Sequence, residues 1–370
     1  MVVVGGGASG LSAAGALKKR GIDAVVLEKD PAIGGSWASR YDRLHLHTVR
    51  GFSGLAHFAI PKRYPAYLSR DEFVRYLGEY ADHFGLRVVT NCAAKKVRWN
   101  AEKVRWEIAT ADGDTWQARA VVIATGQYRV PIDPQWPGAD SYRGKLTHSA
   151  SYANAQPFAG KRVLVVGPGN SGAEIATDIA ENGGAFVALS IRTPPPIVPR
   201  DPFGMPVQRT GIMLSVLPRR IADAFGRLTS RIVLGDLTKY KIPRAEWGPF
   251  SAQRVPLIDV GFVSAVKRGI VHIRPALARL TATGAVYVNG VEEPFDAVVA
   301  ATGFSTGLAE LLESDGVLDR SGEPVSASGS PTARSGLYFI GFVHSLRGHL
   351  FEANRASRTL AKNVQAYLAN

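Results

Sequence analysis

One glycine-spaced turn occurs twice in this chain, and that duplication limits the fold more than any other feature. The chain opens VVVGGGASGLSAAGALKKRGIDAVVLEKD, and KRVLVVGPGNSGAEIATDIAENGGAFVALSIR repeats the pattern near its middle. In the first copy Val2 to Val4 predict a short buried strand, followed by Gly5, Gly7 and Gly10. A small-residue helix is expected from Ala8 to about Arg20, then a second strand from Ala24 to Leu27, ending at Glu28. Gly5 allows the tight turn, Gly7 lets backbone approach a pyrophosphate, and Gly10 lets the helix pack closely on the sheet. The helix N-terminus offers free N–H groups and a positive dipole end to phosphates.

The second copy predicts a strand from Arg162 to Val166, then Gly167, Gly169 and Gly172, a helix to about Glu181 and another strand. The two copies differ at one telling place. Glu28, eighteen residues beyond Gly10, suits a ribose with free hydroxyls, as in FAD. Arg192, twenty residues beyond Gly172, suits the 2′-phosphate of NADPH, which an acid there would repel. Each copy is followed by a β-rich stretch and a valine-rich strand ending in Ala-Thr-Gly, at Ala124-Thr125-Gly126 and Ala301-Thr302-Gly303. The reading is an α/β chain with two Rossmann-like dinucleotide-binding domains, one for FAD and one for NADPH.

Several chemistries are excluded. The one cysteine, Cys92, leaves no internal pair for dithiol-disulfide exchange. No HExxH or CxxC spacing occurs, so no metal is expected. The formal charge of +13 is spread along the chain, without a zinc-finger, homeodomain or RNP signature, so nucleic acid is not an expected partner. No apolar run reaches the ~18 residues of a membrane span. With a strand beginning at Val2, no secretory leader is expected, and the expected location is cytoplasmic.

Before the second fingerprint, YRGKLTHSASY aligns Tyr142, Gly144, His148 and Tyr152. This resembles FxGxxxHxxxY/F, the identifying motif of the flavin-containing monooxygenases, with Tyr for the first Phe. GGSW (34–37), YDRLHLHT (41–48), the stretch 63–86, the stretch 233–244 and Ala301-Thr302-Gly303-Phe304 are similar to the YUCCA-type group of that family. The resemblance covers almost the whole chain. It implies a discontinuous FAD domain, residues 1–145 and 295–370, with an NADPH domain, 146–294, inserted in it. A strand in GLYFIGF (336–342) and a helix over about 352–369 would complete the FAD domain. The resemblance places further cofactor contacts at Ser9, Lys29, Ser36, Trp37, Leu44, Gly126, His148, Asn170, Ser171, Thr302 and Gly303. His47 stands where many members of the family carry a flavin-side asparagine, and is the expected catalytic residue. His148 is expected to brace the linker between the two folds rather than to move a proton.

The implied reaction is NADPH-dependent oxygenation through a C4a-(hydro)peroxyflavin, with oxygen and a small molecule as partners. The YUCCA-type resemblance implies oxidative decarboxylation of an aryl 2-oxo acid such as indole-3-pyruvate, with Arg50, Lys62 or Arg63 as carboxylate partners. N- or S-oxygenation of an amine or sulfide, and an NADPH oxidase or non-oxygenating flavoprotein, stay open. Tyr152 stands where Baeyer–Villiger enzymes of the longer class would carry Trp. Residues 194–260 read as an insertion: TPPPIVPRDPFGMP as extended loop, and 211–234 as helix that Pro218 breaks or starts. We take that helix to pack over the active site or a partner subunit of a homo-oligomer, rather than to lie on a membrane.

Overall fold

The computed structural model describes residues 1–252, 254–313, 316–343 and 345–369. Its labelled elements, in chain order, begin with β1 (Val2–Val4), α1 (Ala8–Lys18), β2 (Val25–Leu27), α2 (Arg70–Phe84) and β3 (Arg87–Val89). A meander of β4 (Ala94–Asn100), β5 (Arg105–Thr110) and β6 (Thr115–Ala118) leads to β7 (Val121–Ile123). The second half begins with β8 (Lys145–His148), β9 (Arg162–Val166), α3 (Asn170–Glu181) and β10 (Phe186–Ser190). Then come α4 (Val207–Leu214), α5 (Arg219–Leu234) and β11 (Val271–Arg274). A second meander, β12 (Leu277–Leu280), β13 (Gly284–Tyr287) and β14 (Glu292–Pro294), leads to β15 (Ala297–Ala300). The chain closes with β16 (Leu337–Phe339) and α6 (His349–Ala369).

Two five-stranded parallel sheets result, ordered β16-β7-β1-β2-β3 and β11-β10-β9-β15-β8. Their central strands VVV and VLV are almost wholly buried, because helices or meanders cover both faces. In each sheet the fingerprint strand lies between the strand that follows its helix and the strand that ends in Ala-Thr-Gly. The copies differ in their fifth strand. The first sheet takes β16 from the end of the chain, whereas the second takes β8 from before its own fingerprint. β15 pairs with β9 and β8, so the second sheet runs to Ala300. The boundary expected between residues 294 and 295 therefore moves past β15, and β8 begins that sheet at Lys145. A buried valine-rich strand looks the same whichever sheet it joins.

α2 begins at a capping box, in which Ser69 and Glu72 bond each other's backbone N–H, and stops at left-handed Gly85. α6 packs along α1, with the Ser357 and Ser12 hydroxyls 2.8 Å apart. Residues 194–206 are not all loop, as Ile197–Pro199 pairs in parallel with Leu257–Asp259. Burial of Ile197 and Val198 outweighs the surrounding prolines, and Pro199 sits at the strand end, where a missing N–H matters least. Pro218 is the N-cap of α5, as the sequence suggested. Among the described residues, no helix is long and apolar enough to cross a membrane.

A candidate active site between two nucleotide folds

The two glycine turns are near copies in detail. Gly5 has φ 110° and Gly167 φ 120°, a left-handed geometry that side chains disfavour. A Cβ on Gly5 would meet the Ala124 carbonyl, and one on Gly167 the Ala301 carbonyl. Each Ala-Thr-Gly exit thus packs on the first glycine of its own fingerprint. A Cβ on Gly10 or Gly172 would fall on the carbonyl oxygen of Gly5 or Gly167. α1 and α3 start at Gly7 and Gly169, which have no side chain to cap the first N–H groups. Both helix ends therefore offer donors to phosphate oxygens.

The polar groups around the first turn fit a dinucleotide. Glu28 is buried; Oε2 accepts the Gly6 N–H at 2.6 Å and Oε1 the Asp30 N–H at 2.9 Å. Burial pushes its carboxyl above the usual range, and the two backbone bonds pull it back. Thr125 Oγ1 and Gln127 Oε1, on the exit turn beside Gly126, are buried with no hydrogen-bond partner among the described residues. Buried polar atoms of that kind need a partner, and a flavin nucleotide on this turn would supply acceptors and donors for them. At the second turn, Arg192 is exposed two residues beyond β10 and makes no ion pair among the described residues.

The remaining expected contacts divide. Ser36 approaches Gly7 and is exposed, Gly126 and Gly303 are left-handed and open, and Lys29 pairs among the described residues with Asp30, at 3.7 Å. Trp37 packs edge-on to Phe73. Three side chains are committed elsewhere. Ser9 is buried and bonds His349 at 3.3 Å. Asn170 holds the backbone of Pro256 and Ile258, at 3.1 and 2.8 Å. Thr302 donates to the Ile132 carbonyl at 2.6 Å.

The segment 41–47 is where the two folds meet. Tyr41 is buried, and Leu44 half-buried, against the core of the second fold. Glu174, Asp178 and Glu181, spaced four and three apart, form one acidic face of α3. His47 Nε2 lies 2.6 Å from Glu174 Oε1, and Arg43 bonds Glu181 at 2.6 Å. Burial and the nearby Glu174 charge hold the Tyr41 hydroxyl pKa well above the ordinary value. His47 and Glu174, with Arg43, His45, Arg200 and Val260, line a cavity of about 210 Å³. His47 Nδ1 has no hydrogen-bond partner among the described residues.

Glu174, Arg43 and Arg200 were not singled out from the sequence. Of the expected carboxylate partners, Arg50 donates to the Lys62 and Tyr64 carbonyls and Arg63 pairs with Glu79 at 2.5 Å. Both are tied to local structure, and neither lines the cavity.

His148 has a bracing geometry. Its Nδ1 accepts the Ala150 N–H at 3.0 Å, so Nε2 carries the proton and donates to the Gly303 carbonyl at 3.2 Å. Burial lowers its pKa, keeping the ring neutral. Tyr152 donates to Asp178 at 2.6 Å, and Tyr142 to the Phe295 carbonyl at 2.8 Å. The YRGKLTHSASY stretch thus pins β8 to α3 and to the second Ala-Thr-Gly turn.

Residues 2–198 match the family described as pyridine nucleotide-disulphide oxidoreductase. The chain is 34% identical over 352 residues to indole-3-pyruvate monooxygenase YUCCA1 of Oryza sativa subsp. japonica, covering 92% of this chain and 86% of that protein. It is 32% identical to indole-3-pyruvate monooxygenase YUCCA6 of Arabidopsis thaliana, covering 98% and 90%. Among solved structures, the flavin-containing monooxygenase from Stenotrophomonas maltophilia superposes with a TM-score of 0.75 at 27% identity, covering 99% and 98%. The lone Cys92 keeps the chain out of the disulphide chemistry that the broad family description names. With two nucleotide folds, paired phosphate turns and relatives matched along their length, the chain belongs to the flavin-containing monooxygenases, with YUCCA-type relatives, and is an oxidoreductase that uses FAD and NADPH.

Proposed function

We propose that this monooxygenase oxidatively decarboxylates an aryl 2-oxo acid of the indole-3-pyruvate kind. The observation that carries the reading is the cavity between the folds, whose lining includes Arg43, His45, His47 and Arg200. Its volume of about 210 Å³ suits a small molecule, and its basic lining suits a carboxylate. Two relatives are named as indole-3-pyruvate monooxygenases, which supports the same substrate class.

The residues divide the work as follows. Gly5 to Gly10, Glu28, Thr125 and Gln127 would hold FAD; Gly167 to Gly172 and Arg192 would hold NADPH. FAD held there would supply the chemistry that activates oxygen, with NADPH as the source of electrons. Glu174 accepts the proton on His47 Nε2 and fixes the ring, leaving Nδ1 as an acceptor toward the cavity. His47 can thus hold or take a proton there. Arg43 bonds Glu181 at 2.6 Å with Asp178 at 4.0 Å, and Arg200 bonds Asp201 at 2.8 Å; their remaining N–H groups can orient a carboxylate. Arg192 selects the phosphorylated nucleotide.

The test is product identification with purified holoprotein. NADPH consumption, peroxide release and carbon dioxide are measured with indole-3-pyruvate, phenylpyruvate, a tertiary amine and a sulfide. Carbon dioxide in step with NADPH, for the oxo acids alone and undiminished by catalase, supports the proposal. N- or S-oxide formation replaces it with soft-nucleophile oxygenation. Full-yield peroxide whatever is added makes the chain an NADPH oxidase.

A further inference from the structure

The helical insertion leaves one face uncovered. On α5, Ile221, Phe225, Leu228 and Ile232 follow a four-three-four spacing, which puts them on one side of the helix. They are 56, 48, 58 and 61% exposed, although each is a large apolar side chain. The opposite side faces the protein through Ala222, Asp223 and Leu234, all buried. Just upstream, Met213 and Val216 extend the exposed apolar surface, at 61 and 84%.

The charges beside this stripe have one sign. From residue 202 to 235 the basic residues are Arg209, Arg219, Arg220, Arg227 and Arg231, and the only acid is Asp223. Asp223 turns inward, where it accepts the N–H groups of Phe250 and Ser251 at 2.7 and 3.2 Å. At 100° per residue, Arg220, Arg227 and Arg231 fall together on one flank of the apolar stripe. All three are exposed.

The exposed stripe runs against the sequence expectation of a helix packed over the active site or a partner subunit, and we propose instead that α5 lies flat on an anionic lipid surface, with the stripe in the acyl boundary and the arginine flank among the headgroups. An apolar face edged by arginine and free of outward acid has the composition of an interfacial helix. A second copy of the chain fits less well. A two-fold contact through this face would use the same patch on both copies and bring arginine toward arginine. Polar occupants are disfavoured by the stripe, and apolar ones without negative charge leave the arginines without partners.

The experiment uses FAD-loaded protein and sedimentation with vesicles of phosphatidylglycerol and phosphatidylcholine in equal parts, or of phosphatidylcholine alone. Binding to the mixed vesicles is expected, and it weakens with salt. Replacing Arg220, Arg227 and Arg231 by Gln lowers the partition constant about fivefold for each arginine. The double change Phe225→Ser and Leu228→Ser lowers it at least about tenfold. Flavin content and NADPH oxidation in solution stay unchanged in both variants, because every altered side chain is exposed and outside the cavity. Absence of binding at millimolar lipid, or binding unaffected by both variants, overturns the proposal. So does a dimer seen by light scattering that Phe225→Ser with Leu228→Ser converts to monomer, because a second copy would then cover the face.

Discussion

Replacing Arg192 by Ala should change the choice of nucleotide and little else. The side chain is exposed and makes no ion pair among the described residues, so its loss should move stability by no more than about 0.5 kcal/mol. Its contribution to binding is a charge interaction in water. One unit charge about 4 Å from another is worth about 1 kcal/mol at the dielectric constant of water. A 2′-phosphate carries about one and a half to two charges near neutral pH, which raises the interaction to about 1.5–2 kcal/mol. The expected loss in kcat/KM for flavin reduction by NADPH is therefore about 10- to 30-fold. NADH, without that phosphate, should lose almost nothing. The assay is anaerobic flavin bleaching with each nucleotide, at low ionic strength and in ~1 M salt, where the screening length shrinks to about 3 Å. The discrimination of the native protein should narrow in salt, and that of the variant should not change. An equal loss with NADH and NADPH, or an unchanged ratio, would refute the assignment of Arg192 to the 2′-phosphate.

Three further outcomes follow from the site. Glu174→Gln keeps a hydrogen bond to His47 but removes the charge; reduction by NADPH should survive, while the share of NADPH lost as peroxide rises several-fold, and unchanged coupling counts against a role for the pair. Gly172→Ala drives a Cβ onto the Gly167 carbonyl and should raise KM for NADPH while flavin stays bound; Gly10→Ala makes the same collision with Gly5 and should release flavin, as read from absorbance after desalting. His148 has a folded pKa lowered by burial, so its neutral form stabilises the fold fully above the unfolded value near 6.5. That stability is lost as pH falls from ~6.5 through the folded pKa. Urea melts from pH 5 to 7.5 should show this slope, and His148→Gln should flatten it relative to the native chain.

What could be read without a structure was whatever is local in the chain. Gly5, Gly7, Gly10 and Glu28 lie within one strand-helix-strand unit, and each has its physical reason there. The same holds for Gly167 to Gly172 and Arg192. Glu174 was hidden because its meaning depends on His47, which is 127 residues away. Within α3, Glu174, Asp178 and Glu181 read as an ordinary solvated helix face; the packing of segment 41–47 and of Tyr152 turns that face into a joint. The sheet to which β15 belongs was hidden for a related reason. Its burial is the same in either fold, and pairing with β9 and β8 is a tertiary fact. Arg50 and Arg63 looked available because their commitments to the Tyr64 carbonyl and to Glu79 arise from the local loop geometry.

The chain passes between the two folds twice, and the two passages are joined to each other. Val130–Pro131 on the outward path pairs in antiparallel fashion with Phe304–Ser305 on the return, and Arg129 bonds the Gly307 carbonyl beside them at 3.0 Å. A single tether behaves as a swivel, but two bonded strands behave as a ribbon. A ribbon flexes across its thin direction and resists twist, so the easiest motion left to the folds is to open and shut like a book. The spine of that book is next to the second Ala-Thr-Gly turn, and its free edge carries the joint between segment 41–47 and α3. Opening along that spine would strain the contacts of segment 41–47 with α3, His47 to Glu174 and Arg43 to Glu181. Cutting the return path after Ala300 would leave a half-bound volume, since β16 and α6 still belong to the first cover.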